Sequence, residues 1–284
     1  MSVSYILALF LTQMAVGMVV TVALLPPRLV DPRFFGSIHF WAGLFTTIGL
    51  FVRHRSDLRL SEVFGDAAAR SAAPSESWIF VGFYVFLALC VFFWLRFRFR
   101  ETPPSRASLY VVSLVGLGSV VLDSLIFRAG FPPVWAQDVL LPLNFVSTSL
   151  ILGGFLAGMM FGHHYLMNTD MPKKLLVTMA WILIGVLIVR VASVGTTLLV
   201  YKEVVRPDID FLTTLVSFQG HGIFFWQRIL VGLLIPAVVV GMIWGTARIG
   251  SNQSATGIMY VAIAFVFIGE LAARYLFLLS AIPL

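Results

Sequence analysis

The chain has 284 residues, of which 60% are hydrophobic and 11% charged, and its mean hydropathy is +0.98. A soluble domain carries about 25% Asp, Glu, Lys and Arg, so this composition excludes a soluble enzyme of ordinary kind. The formal charge of +6 does not point to nucleic acid, because the Arg and Lys residues gather at the ends of apolar stretches, where they anchor membrane helices.

Stretches of about 20 apolar residues read as membrane-spanning helices. Eight are expected, near 4–25, 37–52, 77–96, 108–128, 139–161, 174–200, 222–247 and 256–281. The predicted fold is therefore all-α: one polytopic integral membrane helix bundle over 1–284, with four spans followed by four, compatible with two four-helix bundles. The first span lacks a basic leader and an Ala-x-Ala site, and reads as a retained helix rather than a signal peptide. The second is the shortest. Residues 60–76 are the most water-like and read as a short amphipathic helix. Pro26-Pro27, Pro103-Pro104 and Pro132-Pro133 end helices, since proline cannot continue the hydrogen-bond ladder. Cys90, the only cysteine, lies in the third span, so the chain holds no disulfide, iron–sulfur cluster or Cys-based zinc site of its own. Pro142 and Pro236 fall inside the fifth and seventh spans, where kinks are expected. Gly153, Gly154 and Gly158 give the fifth span a face on which another helix can pack closely.

Eight spans put both termini on one side. The connections on the opposite side carry nine Arg and Lys against seven on the terminus side. By the positive-inside rule the termini are expected outside the cytoplasm, in a bacterial or archaeal cytoplasmic membrane.

Placing the polar groups by depth is more informative. Asp123 and Arg190 lie late in spans that run toward the terminus side. Asn144, Gln227 and Arg228 lie early in spans that leave it. Glu270 and Arg274 lie late in the last span, four residues apart on one helix face. All five charges share one leaflet. Scattered toward lipid, they would cost on the order of 12–18 kcal/mol, so they are expected to converge on each other or on a cavity. Three arginines against two acids favour a head group with carbonyl or anionic oxygens. The bland alternatives are snorkelling of Arg190 or Arg228 and a structural Glu270–Arg274 pair.

His39, His163 and His164 sit near the other surface. They read first as interfacial and solvated; the alternative is ligation of a haem by two of them, or of a metal by three. His221 lies at the terminus-side mouth of the seventh span, where it could exchange protons or cap a helix. No phosphate-binding loop, His-Glu-x-x-His or Gly-x-Ser-x-Gly motif is present.

Gly269-Glu270-Leu271, Arg274 and Phe277 resemble the G-E-x-x-x-R-x-x-F pattern of the NrfD-like family, the membrane anchors of polysulfide-reductase and dimethyl-sulfoxide-reductase type complexes. Trp226 and Arg228, with Gln227 between, are similar to a Trp-Arg opening of that family's seventh span. The Gly153-Gly154 and Gly158 run, with Gln13 and Gly17 in the first span, adds a looser likeness. The resemblance implies a quinone site near the non-cytoplasmic surface, an iron–sulfur partner docked there, no haem, and in some members proton translocation.

Taken together, the expectation is a quinone-reactive membrane subunit of a redox complex. Glu270 or Asp123 would carry protons, and His221 would connect the site to water. Arg228, Arg274, Arg190, Asn144 and Gln227 would hold a menaquinone or ubiquinone. The expected partners are an iron–sulfur or cytochrome subunit on the terminus side, other membrane subunits and lipid. Rival readings are a cytochrome-like subunit with haem b on His39 and His163 or His164, a proton-coupled secondary transporter, and a structural anchor without a site.

Overall fold

The computed structural model describes residues 3–55, 76–99, 102–128, 134–168, 171–172, 174–205, 216–217, 222–280 and 282–284. Among these residues, eight helices are long and apolar enough to cross a membrane. They are α1 (Val3–Ala23), α2 (Pro32–His54), α3 (Glu76–Phe99), α4 (Arg106–Leu125), α5 (Val134–Met167), α6 (Lys174–Val200), α7 (Gly222–Arg248) and α8 (Asn252–Ser280). No strand occurs among the described residues. We call the end at which α1 starts the near end, and the opposite one the far end.

Helix boundaries follow local chemistry. Asp31 caps α2 by accepting from the Arg33 N–H at 2.9 Å, and Pro32 fills the first turn, where its missing N–H costs nothing. Ser105 caps α4 in the same way, through the Ser108 N–H at 3.1 Å. Gly250 joins α7 to α8 at φ 80°, a conformation glycine adopts without strain. The second span proves longer than hydropathy suggests. It starts at Pro32 and runs 23 residues, because Arg33, Ser37 and His39 depress the apolar average in turns that are nonetheless helical. The amphipathic helix expected at 60–76 falls mainly on 56–75, outside the described residues.

α1–α4 pack as one ring of four, each helix against its chain neighbours and α1 against α4, and α5–α8 form a second ring in the same way. The rings join along α1 and α5. Gly17 and Gly153 make that seam: a Cβ on Gly17 would lie 1.6 Å from the Ser149 carbonyl oxygen, and one on Gly153 would lie 2.1 Å from the Met18 nitrogen. Only glycine lets two backbones approach so closely. The expectation of close packing on the fifth span is met here.

α7 is not a regular helix. It consists of an α-helical segment, Gly222–Ile229, a π-helical turn, Leu230–Leu234, and a second α-helical segment, Ile235–Arg248. The Ile235 N–H donates to the Leu230 carbonyl, a five-residue spacing that wedges an extra residue into the turn. Pro236, next in line, has no N–H to restore the four-residue ladder. The irregularity expected at Pro236 is this π turn. Pro142, in contrast, lies inside an unbroken α5.

Most of the interior is apolar, and at the far end it is dense with rings such as Phe34, Phe35, Phe97 and Phe161. A smaller core at the near end joins Ala136, Val194, Phe225 and Leu276 to the tail residues Ile282 and Leu284. The buried charges lie beside this second core.

Candidate functional site

Glu270 is completely buried near the end of α8. Arg190 of α6 meets it side-on: Nε donates to Oε1 at 3.0 Å and Nη2 to Oε2 at 2.9 Å. This two-point geometry fits a guanidinium to a carboxylate. Arg228 of α7 brings Nη2 to 2.9 Å from Oε1, and the Thr148 hydroxyl of α5 donates to Oε2 at 3.2 Å. One carboxylate thus faces two guanidiniums and a hydroxyl, drawn from all three other helices of its ring.

A polar layer extends from Arg190. Its Nη1 donates to Asn144 Oδ1 and to Ser147 Oγ, both at 3.0 Å, and its Nη2 to the Leu284 main-chain oxygen at 2.8 Å. Ser193 donates to Asn144 Oδ1 at 3.0 Å. Asn144 Nδ2 donates to Thr197 Oγ1 at 2.6 Å. Most buried hydroxyls elsewhere, such as Thr12, Thr46, Ser113 and Ser149, donate to their own helix, as isolated Ser and Thr in helices do. Thr148 and Ser193 reach across helices instead.

The motif residues of α8 each take a separate partner. Gly269 lies against Gly232 in the π turn, where a Cβ on Gly269 would come within 2.1 Å of Gly232 Cα. A Cβ on Gly232 would stand 2.9 Å from Arg228 Nη1, so the missing side chain leaves room for that guanidinium. Arg274 does not ion-pair with Glu270. It donates to Gln13 Oε1 of α1 and stacks 4.4 Å above the Phe145 ring, a cation–π contact. Phe277 packs edge-on against Phe127 and Phe145. The charges of Glu270, Arg190 and Asp123 all act on Arg274.

Asp123 belongs to a second centre. Arg53, in the last turn of α2, donates to its Oδ1 at 2.7 Å, and both groups are buried. The guanidinium also sits 5.2 Å from the Tyr5 ring and 5.5 Å from the Phe80 ring. Sequence reasoning misses Arg53, because a span ending at 52 leaves it in a loop. Among the described residues the buried near-end charges are thus four arginines and two acids.

Several donors and acceptors stay open. Arg228 Nε and Nη1, Arg274 Nε, Gln13 Nε2 and Asp123 Oδ2 are buried with no hydrogen-bond partner among the described residues. Such groups are costly to leave unpaired. Among the other expected residues, Gln227 is half-buried and joins none of the hydrogen bonds given above, and His221 lies outside the described residues.

The described histidines His39, His163 and His164 take different partners. His39 is fully buried, its Nδ1 2.7 Å from the Phe35 carbonyl oxygen and its ring against Phe93 and Phe97. This corrects the solvated reading: with α2 starting at Pro32, His39 is two turns inside the helix. His163 is exposed and 3.3 Å from the Tyr260 hydroxyl. His164 pairs with Asn168 at 3.0 Å and faces Asp31 at 3.8 Å. Among the described residues, no three His, Cys, Asp or Glu side chains converge as a metal site. No protein-family model matches the chain, and no curated protein matches it.

Proposed function

We propose that this chain is the quinone-reactive membrane subunit of an electron-transfer complex, a non-autonomous part of a quinone-linked oxidoreductase of the NrfD-like kind. The observation that carries this reading is the set of open N–H donors around one saturated carboxylate. Glu270 is satisfied by Arg190, Arg228 and Thr148, while Arg228 Nε and Nη1 and Arg274 Nε have no acceptor among the described residues. A quinone head group offers two carbonyl oxygens and no donor, which suits surplus guanidinium N–H groups. Arg190 also donates to the Leu284 main-chain oxygen at 2.8 Å.

A bound quinone supplies two-electron, two-proton chemistry. The chain's own residues bind and orient. Arg228 and Arg274 hold the carbonyl oxygens, Glu270 offsets their charge, and Asn144 with Ser147 fixes Arg190. Proton transfer needs a titratable group within reach of the head group, and the described near-end interior offers the carboxylates Glu270 and Asp123. Electrons are exchanged with an iron–sulfur or cytochrome partner docked at the near end, the end at which the buried charges lie.

Photolabelling with an azido-quinone in native membranes, followed by peptide mapping, tests the reading. Label is expected on peptides of α5–α8 that contain Arg190, Arg228 or Glu270, and a redox subunit is expected to co-purify. Even labelling along the chain, no redox partner, and solute uptake by the chain alone in liposomes would move the same charges to a transporter.

A further inference from the structure

The last turns of α5, at the far end, read Met159-Met160-Phe161-Gly162-His163-His164-Tyr165-Leu166-Met167. Residues three and four apart on a helix are surface neighbours. His163 therefore has a methionine beside it on three sides: Met159 and Met160 one turn before, and Met167 one turn after. All four line one cavity of about 250 Å³, walled also by α2 and α8. Packing alone does not account for the set. Gap-filling methionine belongs in a core, yet Met159 and Met160 are only half-buried and Met167 is exposed, so their thioethers sit on an open wall. The imidazole between them is oriented. The Tyr260 hydroxyl of α8 stands 3.3 Å from His163 Nδ1. With Nδ1–H donating to that oxygen, Nε2 keeps its lone pair, and a partner on one ring nitrogen is how proteins aim the other at a metal. His164 is held elsewhere, its Nε2 3.0 Å from Asn168 Nδ2 and 3.8 Å from Asp31.

We propose that this cavity is a binding site for a soft monovalent metal ion, Cu(I), held by the thioethers of Met159, Met160 and Met167 and by His163 Nε2. Thioether sulfur is a soft ligand that selects Cu(I), whereas magnesium, calcium and manganese take oxygen. Zinc takes sets of His, Cys and carboxylate, and among the described residues no three such groups gather. The ligands are neutral, so a single positive charge is cheaper to desolvate there than two. Phe34 and Trp41 of α2 line the same cavity, and the faces of aromatic rings attract a cation. The site is at the opposite end from the Glu270 cluster and does not depend on the quinone reading.

Anaerobic titration of the purified full chain, with any subunits that co-purify, against the Cu(I)–bicinchoninate complex tests the site. Saturable uptake of a single Cu(I) per chain is expected, and an excess of Zn²⁺ should not displace it. M159L/M160L/M167L conserves volume and apolarity and removes the sulfur. It should weaken binding by roughly 100-fold or more, since changes in the outer shell of a metal site already cost about 10–100-fold. Tyr260→Phe, which takes away the partner of His163 Nδ1, should weaken it about 10-fold. Met242→Leu alters an exposed methionine of α7 outside the cavity and should leave binding unchanged. No saturable uptake by the unaltered protein would overturn the proposal, as would displacement of the copper by Zn²⁺ or uptake that survives the triple leucine variant. If that variant does not accumulate, X-ray absorption at the copper edge of the selenomethionine-labelled protein decides. Copper–selenium scattering supports the site, and its absence refutes it.

Discussion

Two buried charge centres share the near end of this molecule, and they are built in opposite ways. Around Glu270 the anion is saturated and the cations are in surplus: Arg190 takes it at two points, Arg228 adds a third contact and Thr148 a fourth. Around Asp123 one oxygen meets Arg53 at 2.7 Å and the other, Oδ2, has no partner among the described residues. The comparison separates roles that the sequence alone leaves merged. A carboxylate whose oxygens are both occupied by donors holds its neighbours in place. One with an open oxygen has room for a proton. Arg274 connects the two, donating to Gln13 across the seam between the rings while the charges of both acids act on it.

The largest effect should come from breaking the saturated centre. Arg190→Leu leaves Glu270 with one guanidinium and strips Asn144 and Ser147 of their shared donor. Removing one partner of a buried ion pair costs about 3–5 kcal/mol, so the variant should fail to accumulate or lose most of its thermal stability in detergent. Glu270→Gln keeps the shape but leaves Arg190 and Arg228 without their counter-charge and sets an amide NH2 against one of their donors, so it should also lower the melting temperature, by less than Arg190→Leu. It releases Arg190 and Arg228 from their common anchor, and a shift of about 1 Å in positioning groups lowers catalytic efficiency about 100-fold. Quinol oxidation by the assembled complex would show this mainly as a higher KM. Gly232→Val should rank next. Its side chain would strike Gly269 Cα and Arg228 Nη1, and overpacking of this kind costs about 1–3 kcal/mol. A melting temperature equal to that of the unaltered protein would show that the π turn has slack the structure does not display.

The two centres were not equally legible in the sequence. Eight spans follow from hydropathy, and the convergence of Arg190, Arg228, Glu270 and Asn144 follows from depth, since charges in one leaflet have nowhere else to go. Depth does not give azimuth. It groups Asp123 with Glu270, although α4 sits in the other ring and turns Asp123 toward Arg53. Arg53 itself is hidden because α2 starts earlier and ends later than its apolar stretch, drawing a loop-like arginine into the interior. The four-residue spacing of Glu270 and Arg274 suggests a pair, yet Arg274 prefers Gln13 and the Phe145 face. Thr148, Ser147 and Ser193 carry no signal of their own, since hydroxyls in helices mostly bond their own backbone. The π turn is foreshadowed only by Pro236.

Asp123→Asn should have the smallest effect on folding and the most specific effect on chemistry. Asparagine keeps an acceptor for Arg53, and the Tyr5 and Phe80 rings still cradle the guanidinium, so the lost counter-charge should cost less stability than Arg190→Leu does. What it removes is the open oxygen. If protons pass there, kcat should fall about tenfold, equivalent to about 1.4 kcal/mol in the barrier, with KM unchanged and the pH dependence of kcat flattened. That is the reverse of the KM effect expected for Glu270→Gln, so the two variants form one experiment. Should Asp123→Asn leave kcat intact while Glu270→Gln flattens the pH profile, the roles exchange. The saturated carboxylate would then be the one that gives up its arginines during turnover, and the Arg53–Asp123 pair would be a clasp between α2 and α4.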